Sequence, residues 1–368
     1  MTDLRVLQEG RMRRELREAR ARRARRRRRT RRVIMMLVLT AVALLGLDVA
    51  HNVPSTTNTP EASLKAGPPR PPAPARPAKP VYGQTPDRVQ VHPRLHLGLR
   101  SGLLFDVRTG EVLWSHDPTR LLPIASLTKM MTALVAITHS HPADKVLITR
   151  QALNFAGSGV GLLPLHKRVS EQALLYGLLL PSGNDAAIAL AQHVAGSRPR
   201  FVGLMNRTAA TLHLTCTHFS NVSGIADKDN YSCARDLAVI AHKVLTQPTL
   251  RRIVAARSAI LPFPIKGGKL YLYNNNPLLV DRYPGADGVK TGFTDAAGLC
   301  LVAAARRGSS WLGVVLLHSG NWLTQATTLL NAGFAALRSP GQRRPRTVSR
   351  PPTRSRSRHR PRPGRASA

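Results

Sequence analysis

Ser126 and Lys129 stand three residues apart at the head of an apolar stretch, PIASLTKMMTAL, residues 123–134. A serine hydroxyl attacks a carbonyl once a neighbouring base takes its proton, and a lysine one helical turn on shares its face and can be that base if uncharged. Leu127, Met130, Met131, Leu134 and Val135 would make a good core helix, in which a lysine has no packing use. The ordinary reading of a lone Ser-x-x-Lys is different: the serine caps the helix and the lysine extends to water. Two further triplets weigh against it. Ser182-Gly183-Asn184 offers a hydroxyl and an amide, and Lys290-Thr291-Gly292 offers a cation, a second hydroxyl and a residue that lets a ligand approach the backbone. Ser319-Gly320-Asn321 and Arg108-Thr109-Gly110 imitate these triplets but fall out of order, after Lys290 and before Ser126.

The surrounding pattern supplies the positioning elements. Residues 99–107 and 111–116 read as short apolar strands joined by Arg108-Thr109-Gly110. Residues 171–180 read as a helix broken by Pro181-Ser182-Gly183, and a second helix runs over 185–194 to Gly196. Ser182 and Asn184 therefore sit in a tight loop between helices. Residues 299–305 and 311–317 predict two more strands, and 322–337 a last helix. Both ends of the region contribute to one sheet and its middle forms a helical lobe, with a cleft between them.

The order Ser-x-x-Lys, Ser-Gly-Asn, Lys-Thr-Gly is that of β-lactamases and penicillin-binding proteins. ASLTKMMTALVA, LLYGLLLPSGNDAAIALAQHVAG, FVGLMNRTA and DGVKTGFTDAAGLCLVAAA resemble the serine D-alanyl-D-alanine carboxypeptidases, the low-molecular-weight penicillin-binding proteins, over about residues 97–337. SNVSGIADKDNYSCARDLAVIA resembles the family's Asn-x-x-Gly-Leu stretch, with Ile225 in place of the usual leucine. The resemblance implies an α/β (α+β) fold of the β-lactamase/DD-peptidase kind, an antiparallel sheet flanked by helices plus a helical lobe. It implies Ser126, Lys129 and Ser182 as catalytic residues, and Asn184, Lys290, Thr291, Gly292 and Phe293 as substrate-binding ones, the Phe293 N–H completing an oxyanion hole. The implied partners are peptidoglycan stem peptides and, as covalent inhibitors, β-lactams. No cofactor and no metal is implied.

Physical chemistry supports these roles separately. A helix start places backbone N–H groups where an oxyanion would form. Burial and the charge of Lys290 would lower the pKa of Lys129 as a base requires. Residues 92–338 contain only two glutamates, Glu111 and Glu171, both before Ser182, so the deacylating glutamate of common serine β-lactamases has no counterpart. A penicillin target fits better than a resistance enzyme. Many family members bind the substrate's terminal carboxylate with an arginine after the strand ending here at Leu317, but residues 308–337 contain none. A D-alanyl-D-alanine endopeptidase that cuts cross-links, and a module that binds wall peptides without turnover, stay open beside the carboxypeptidase. The family's C-terminal β-rich domain is also missing from the pattern.

Charge and proline set the rest of the chain apart. The 368 residues carry a net charge of +36, with fifteen arginines against four acids in residues 1–32 and ten arginines and no acid in 339–368. Residues 33–47 carry no charge; with their flank to residue 53 they read as a signal anchor, a cleaved signal peptide being the alternative. The arginine block holds the N-terminus inside, which puts the remainder on the outer face of the cell membrane. Residues 54–91, centred on PPRPPAPARPAKP, read as a spacer, and 339–368 as a solvated, disordered tail. No aromatic residue interleaves with that tail, so nucleic acid is not expected as a partner.

Three cysteines in an oxidising compartment allow one disulfide, for which Cys216 and Cys233 are the leading pair. His139 and His141 read as loop residues without an acidic partner, and no group has metal-site spacing.

Overall fold

Alternation along β1 (Ser101–Asp106) sends Leu103 and Phe105 to one face of a sheet and Leu104 to the other, and all three are buried. The computed structural model describes residues 91, 93, 98–225 and 229–338. The basic segment, the anchor, the spacer up to residue 90 and the tail from 339 lie outside the described residues. Among the described residues no helix is long and apolar enough to cross a membrane.

The sheet has the order β2-β1-β11-β10-β9, every neighbour antiparallel. It joins β2 (Val112–His116) to β9 (Ala286–Thr294), β10 (Gly298–Arg307) and β11 (Ser310–Ser319), so it is closed from both ends of the region as the pattern predicts. β10 and β11 are buried on both faces and therefore read as nearly continuous apolar runs. Val91 donates to Leu113 O at 3.0 Å, so the folded body already includes the residue assigned to the end of the spacer.

The last helix covers one face with Ala326, Leu329, Leu330 and Phe334. The other face carries the larger core, into which the remaining helices pack. These are α1 (Thr128–His139), α2 (Arg150–Leu153), α3 (Glu171–Leu179), α4 (Asn184–Ala195), α5 (Arg198–Thr211), α6 (Ala234–Thr246) and α7 (Pro248–Ala255), whereas the short α8 (Pro277–Val280) puts Leu278 into the smaller core beside the last helix, Trp322–Arg338, which is α9.

Three minor pairs complete the fold: β3 (Leu122–Pro123) with β6 (Tyr231–Ser232), β4 (Lys145–Leu147) with β5 (Arg168–Ser170), and β7 (Ser258–Pro262) with β8 (Lys269–Tyr273). Cys216 and Cys233 form the expected disulfide, and Cys300 is free and buried.

Two expectations are corrected. Ser126 does not open the α-helix: it sits in a 3₁₀ turn, Ala125–Leu127, that runs into α1. His139 is the last residue of α1 and not a loop residue, its Nδ1 lying 2.9 Å from Val135 O.

Candidate active site

α1 is buried on every side from Thr128 to Ala136, which is why a lysine inside it must be satisfied by protein atoms. Lys129, 0% exposed, donates from Nζ to Ser126 Oγ at 2.9 Å and to Ser223 O at 2.8 Å. Neither half of the ordinary reading survives: Lys129 does not reach water, and no side chain caps the turn or α1. Burial, then the charge of Lys290, push the Lys129 pKa well below its ordinary value, with Asp185 opposing. An uncharged amine hydrogen-bonded to a serine hydroxyl is the arrangement a serine nucleophile needs.

The turn before α1 is fixed by tight approaches. Ala125 has φ 47°, in the left-handed region, and its carbonyl accepts Thr128 Oγ1 at 2.9 Å. Gly224, with φ 78°, follows Ser223, and a Cβ there would lie 1.8 Å from Ala125 O, so only glycine lets the Ser223 segment press against the serine turn. Asn221 Oδ1 receives the Ser223 and Gly224 N–H groups at 3.0 and 2.6 Å.

From the other side comes β9, the edge strand of the sheet. It carries Lys290, Thr291, Gly292 and Phe293. A Cβ on Gly292 would stand 3.0 Å from both Ser126 N and Ile124 O, which places the strand's free edge directly against the serine turn. Lys290 is buried, donates to Thr291 O at 2.9 Å, and is pushed by that burial down to a pKa of about 7. Phe293 is 59% exposed, at the mouth of the cleft.

The third wall is the loop between α3 and α4. Ser182 is held at φ 70° with its Oγ buried and without a hydrogen-bond partner. Asn184 donates through Nδ2 to Ala156 O, and its Oδ1 is likewise buried and unpartnered. Asp185 fixes this loop by accepting from the N–H groups of Val160, Gly161 and Ala186. Asn184, Ser223 and Ile225 line one cavity of about 600 Å³, which thus adjoins the carbonyl bound to Lys129. The fold therefore brings the Lys290-Thr291-Gly292 strand against the Ser126 turn, joins Asn184 to the Ser223 segment across one cavity, and leaves Ser182 Oγ and Asn184 Oδ1 buried without a protein partner.

A family model described as D-alanyl-D-alanine carboxypeptidase matches residues 89–320. The chain belongs to the D-alanyl-D-alanine carboxypeptidase family. A D-alanyl-D-alanine carboxypeptidase of Mycobacterium tuberculosis is 36% identical over 241 residues, 63% of this chain and 81% of that one. One of Bacillus subtilis is 34% identical over 215 residues, 57% of this chain and 54% of its own, so the chain spans about half that relative's length. The crystal structure of the Streptomyces K15 DD-transpeptidase superimposes with a TM-score of 0.62 at 33% identity, covering 66% of this chain and 98% of that one. The shared fold is that of these DD-peptidases.

Ser223, Gly224 and Asp185 were not singled out from sequence. Ser223 acts through its carbonyl oxygen, which leaves no side-chain signal; the resemblance of SNVSG to the family pattern was the available hint.

Proposed function

We propose that this chain is a serine DD-peptidase that removes the terminal D-alanine from peptidoglycan stem pentapeptides through an acyl-serine intermediate. The observation that carries the reading is the buried Lys129 amine, 2.9 Å from Ser126 Oγ. Neutral Lys129 takes the hydroxyl proton, and Oγ attacks the carbonyl of the penultimate D-alanine. The N–H groups of Ser126 and Phe293 receive the oxyanion. Ser182 Oγ passes a proton to the leaving amine, and water then releases the shortened peptide. Asn184 holds the substrate amide with its free Oδ1, and Lys290 and Thr291 hold the terminal carboxylate across the slot left by Gly292. β-Lactams acylate the same serine, and with no glutamate following Ser182 the adduct hydrolyses slowly.

The basic segment and residues 33–53 serve as a membrane anchor, with the catalytic domain outside and residues 54–90 as spacer. The charge asymmetry of residues 1–53 supports that topology.

Cross-link cleavage is the second reading, favoured by the lack of arginine in residues 308–337. Incubating the full chain with a stem pentapeptide and, separately, a cross-linked dimer, followed by mass spectrometry, separates the two. Loss of one D-alanine from the pentapeptide is the expected result. Cleavage of the dimer alone makes the chain an endopeptidase, and turnover of neither makes it a binding module.

A further inference from the structure

Away from the cleft, three side chains converge that the peptidase chemistry does not use. Asp144 directly precedes β4 and Glu171 directly follows β5, and the β4–β5 register, Lys145 opposite Ser170, brings the two together. The Glu171 N–H donates to Asp144 O at 2.9 Å. His193, near the end of α4, points into the same space, with Nε2 3.3 Å from Asp144 Oδ2. One ligand atom from each of the three lies within 4.8 Å of the others.

Glu171 makes this more than an acidic cluster. It is 0% exposed and both carboxylate oxygens are buried; the side-chain hydroxyl beside them, that of Ser140, donates to Ala136 O at 2.8 Å, which leaves the carboxylate without a strong donor of its own. Among the described residues no lysine or arginine forms an ion pair with Asp144 or Glu171. A buried carboxylate in that condition costs several kcal/mol unless a cation or a proton satisfies it. We propose that Asp144, Glu171 and His193 form a divalent-cation site, for which zinc is the best match.

One imidazole and two carboxylates are the donors that zinc accepts, and their two negative charges balance the ion. Bonds of about 2.0 Å in a tetrahedron put neighbouring ligand atoms roughly 3.3 Å apart, the separation found between Asp144 and His193. The three ligand atoms lie within 4.8 Å of one another, and Asp144 and His193, whose side chains are 40% and 27% exposed, have the freedom to close on the buried Glu171. A fourth position can be taken by water or by His141, which is exposed and lies three residues before Asp144. Bound there, the ion would tie the loop after α1 to α3 and α4, the pair that carries the Ser182–Asn184 loop at its opposite end.

The competing explanation is a proton: burial raises the Glu171 pKa, and a neutral carboxyl needs no metal. Equilibrium dialysis of the tag-free, EDTA-stripped full chain against zinc chloride, read by elemental mass spectrometry, decides between them. The expected result is one saturable zinc per chain, with the association constant reduced about 100-fold in His193→Ala and in Asp144→Asn, since even supporting residues around a metal cost 10–100-fold. Glu171→Gln keeps the buried shape and should show the same loss with an unchanged near-ultraviolet circular dichroism spectrum. A wild-type isotherm indistinguishable from those of the variants overturns the site and assigns Glu171 a proton.

Discussion

Ser126 and Lys129 share one hydrogen bond, but their chemistry depends on where the protons of two buried lysines reside. Lys290, brought to a pKa of about 7 by burial, is half-charged near neutrality. An unfolded chain would hold that lysine's proton up to its ordinary pKa of 10.5. Between these values the unfolded state binds more protons than the folded one, so stability rises with pH. The slope is at most about 1.4 kcal/mol per pH unit for each such lysine. Cys300, raised by burial to about 11, acts in the opposite sense above its ordinary 9.0, so pH 7 to 9 is the window for the test. Thermal midpoints of the full chain should climb from pH 7 to 9 more steeply than those of Lys290→Met, and parallel curves would show that Lys290 keeps its proton. If Ser126 is the nucleophile as proposed, Ser126→Ala should abolish covalent labelling by fluorescent penicillin without lowering the thermal midpoint. Labelling that persists would place the nucleophile elsewhere.

At the scale of elements, the site is a junction of one helix start, one loop and one strand edge, and glycine decides how closely they meet. Gly224→Ala forces a Cβ to within 1.8 Å of Ala125 O from a backbone at φ 78°, so the serine turn or the Ser223 segment must move. Penicillin acylation should slow by about 100-fold, the cost of a displacement near 1 Å at a reacting group, and the thermal midpoint should fall. Gly203 in α5 is the counter-example: its φ is helical and the nearest atom to an added Cβ is the end of the Arg207 side chain at 3.4 Å. Gly203→Ala should raise stability by about 1 kcal/mol and leave acylation unchanged. The same contrast shows what the sequence could reveal. The triplets are local and chemically distinctive, and the long strands and helices carry clear periodicity, so the sheet, the α3–α4 loop and the pairing of Ser126 with Lys129 were legible. β3 and β6 are two residues long and β4 and β5 three, too short for any period. The 3₁₀ turn at Ser126, the left-handed φ of Ser182 and the carbonyl of Ser223 are backbone properties imposed by tertiary contact. Nothing in the sequence pairs Glu171, the first residue of the 171–180 helix, with Asp144 and His193, which come from distant segments.

For the molecule as a whole, the disulfide joins the cleft to the compartment in which the chain folds. Cys216 and Cys233 enclose the segment that contains Ser223 and Gly224, and they do so within a frame of short pairings. Leu122 and Pro123, just before the serine turn, pair with Ser232 and Tyr231, just before Cys233. Asn230 Nδ2 donates to Thr128 Oγ1 at 2.7 Å, inside the first turn of α1. The cross-link thus holds both ends of a loop whose middle accepts the Lys129 amine. With a sequence separation of 17 residues, loop-closure entropy predicts a stabilisation of about 3 kcal/mol. Cys216→Ser with Cys233→Ser should lower stability by about that amount and slow acylation, because the Ser223 carbonyl would no longer be fixed against Lys129. Such a dependence is what the proposed outward topology would require, since thiols oxidise outside the cell and stay reduced within it. Full chain prepared under reducing and oxidising conditions, compared by denaturant midpoint and by acylation rate, makes the comparison without mutation. If the two preparations acylate at equal rates, the loop is held by its hydrogen bonds alone and the disulfide contributes only stability.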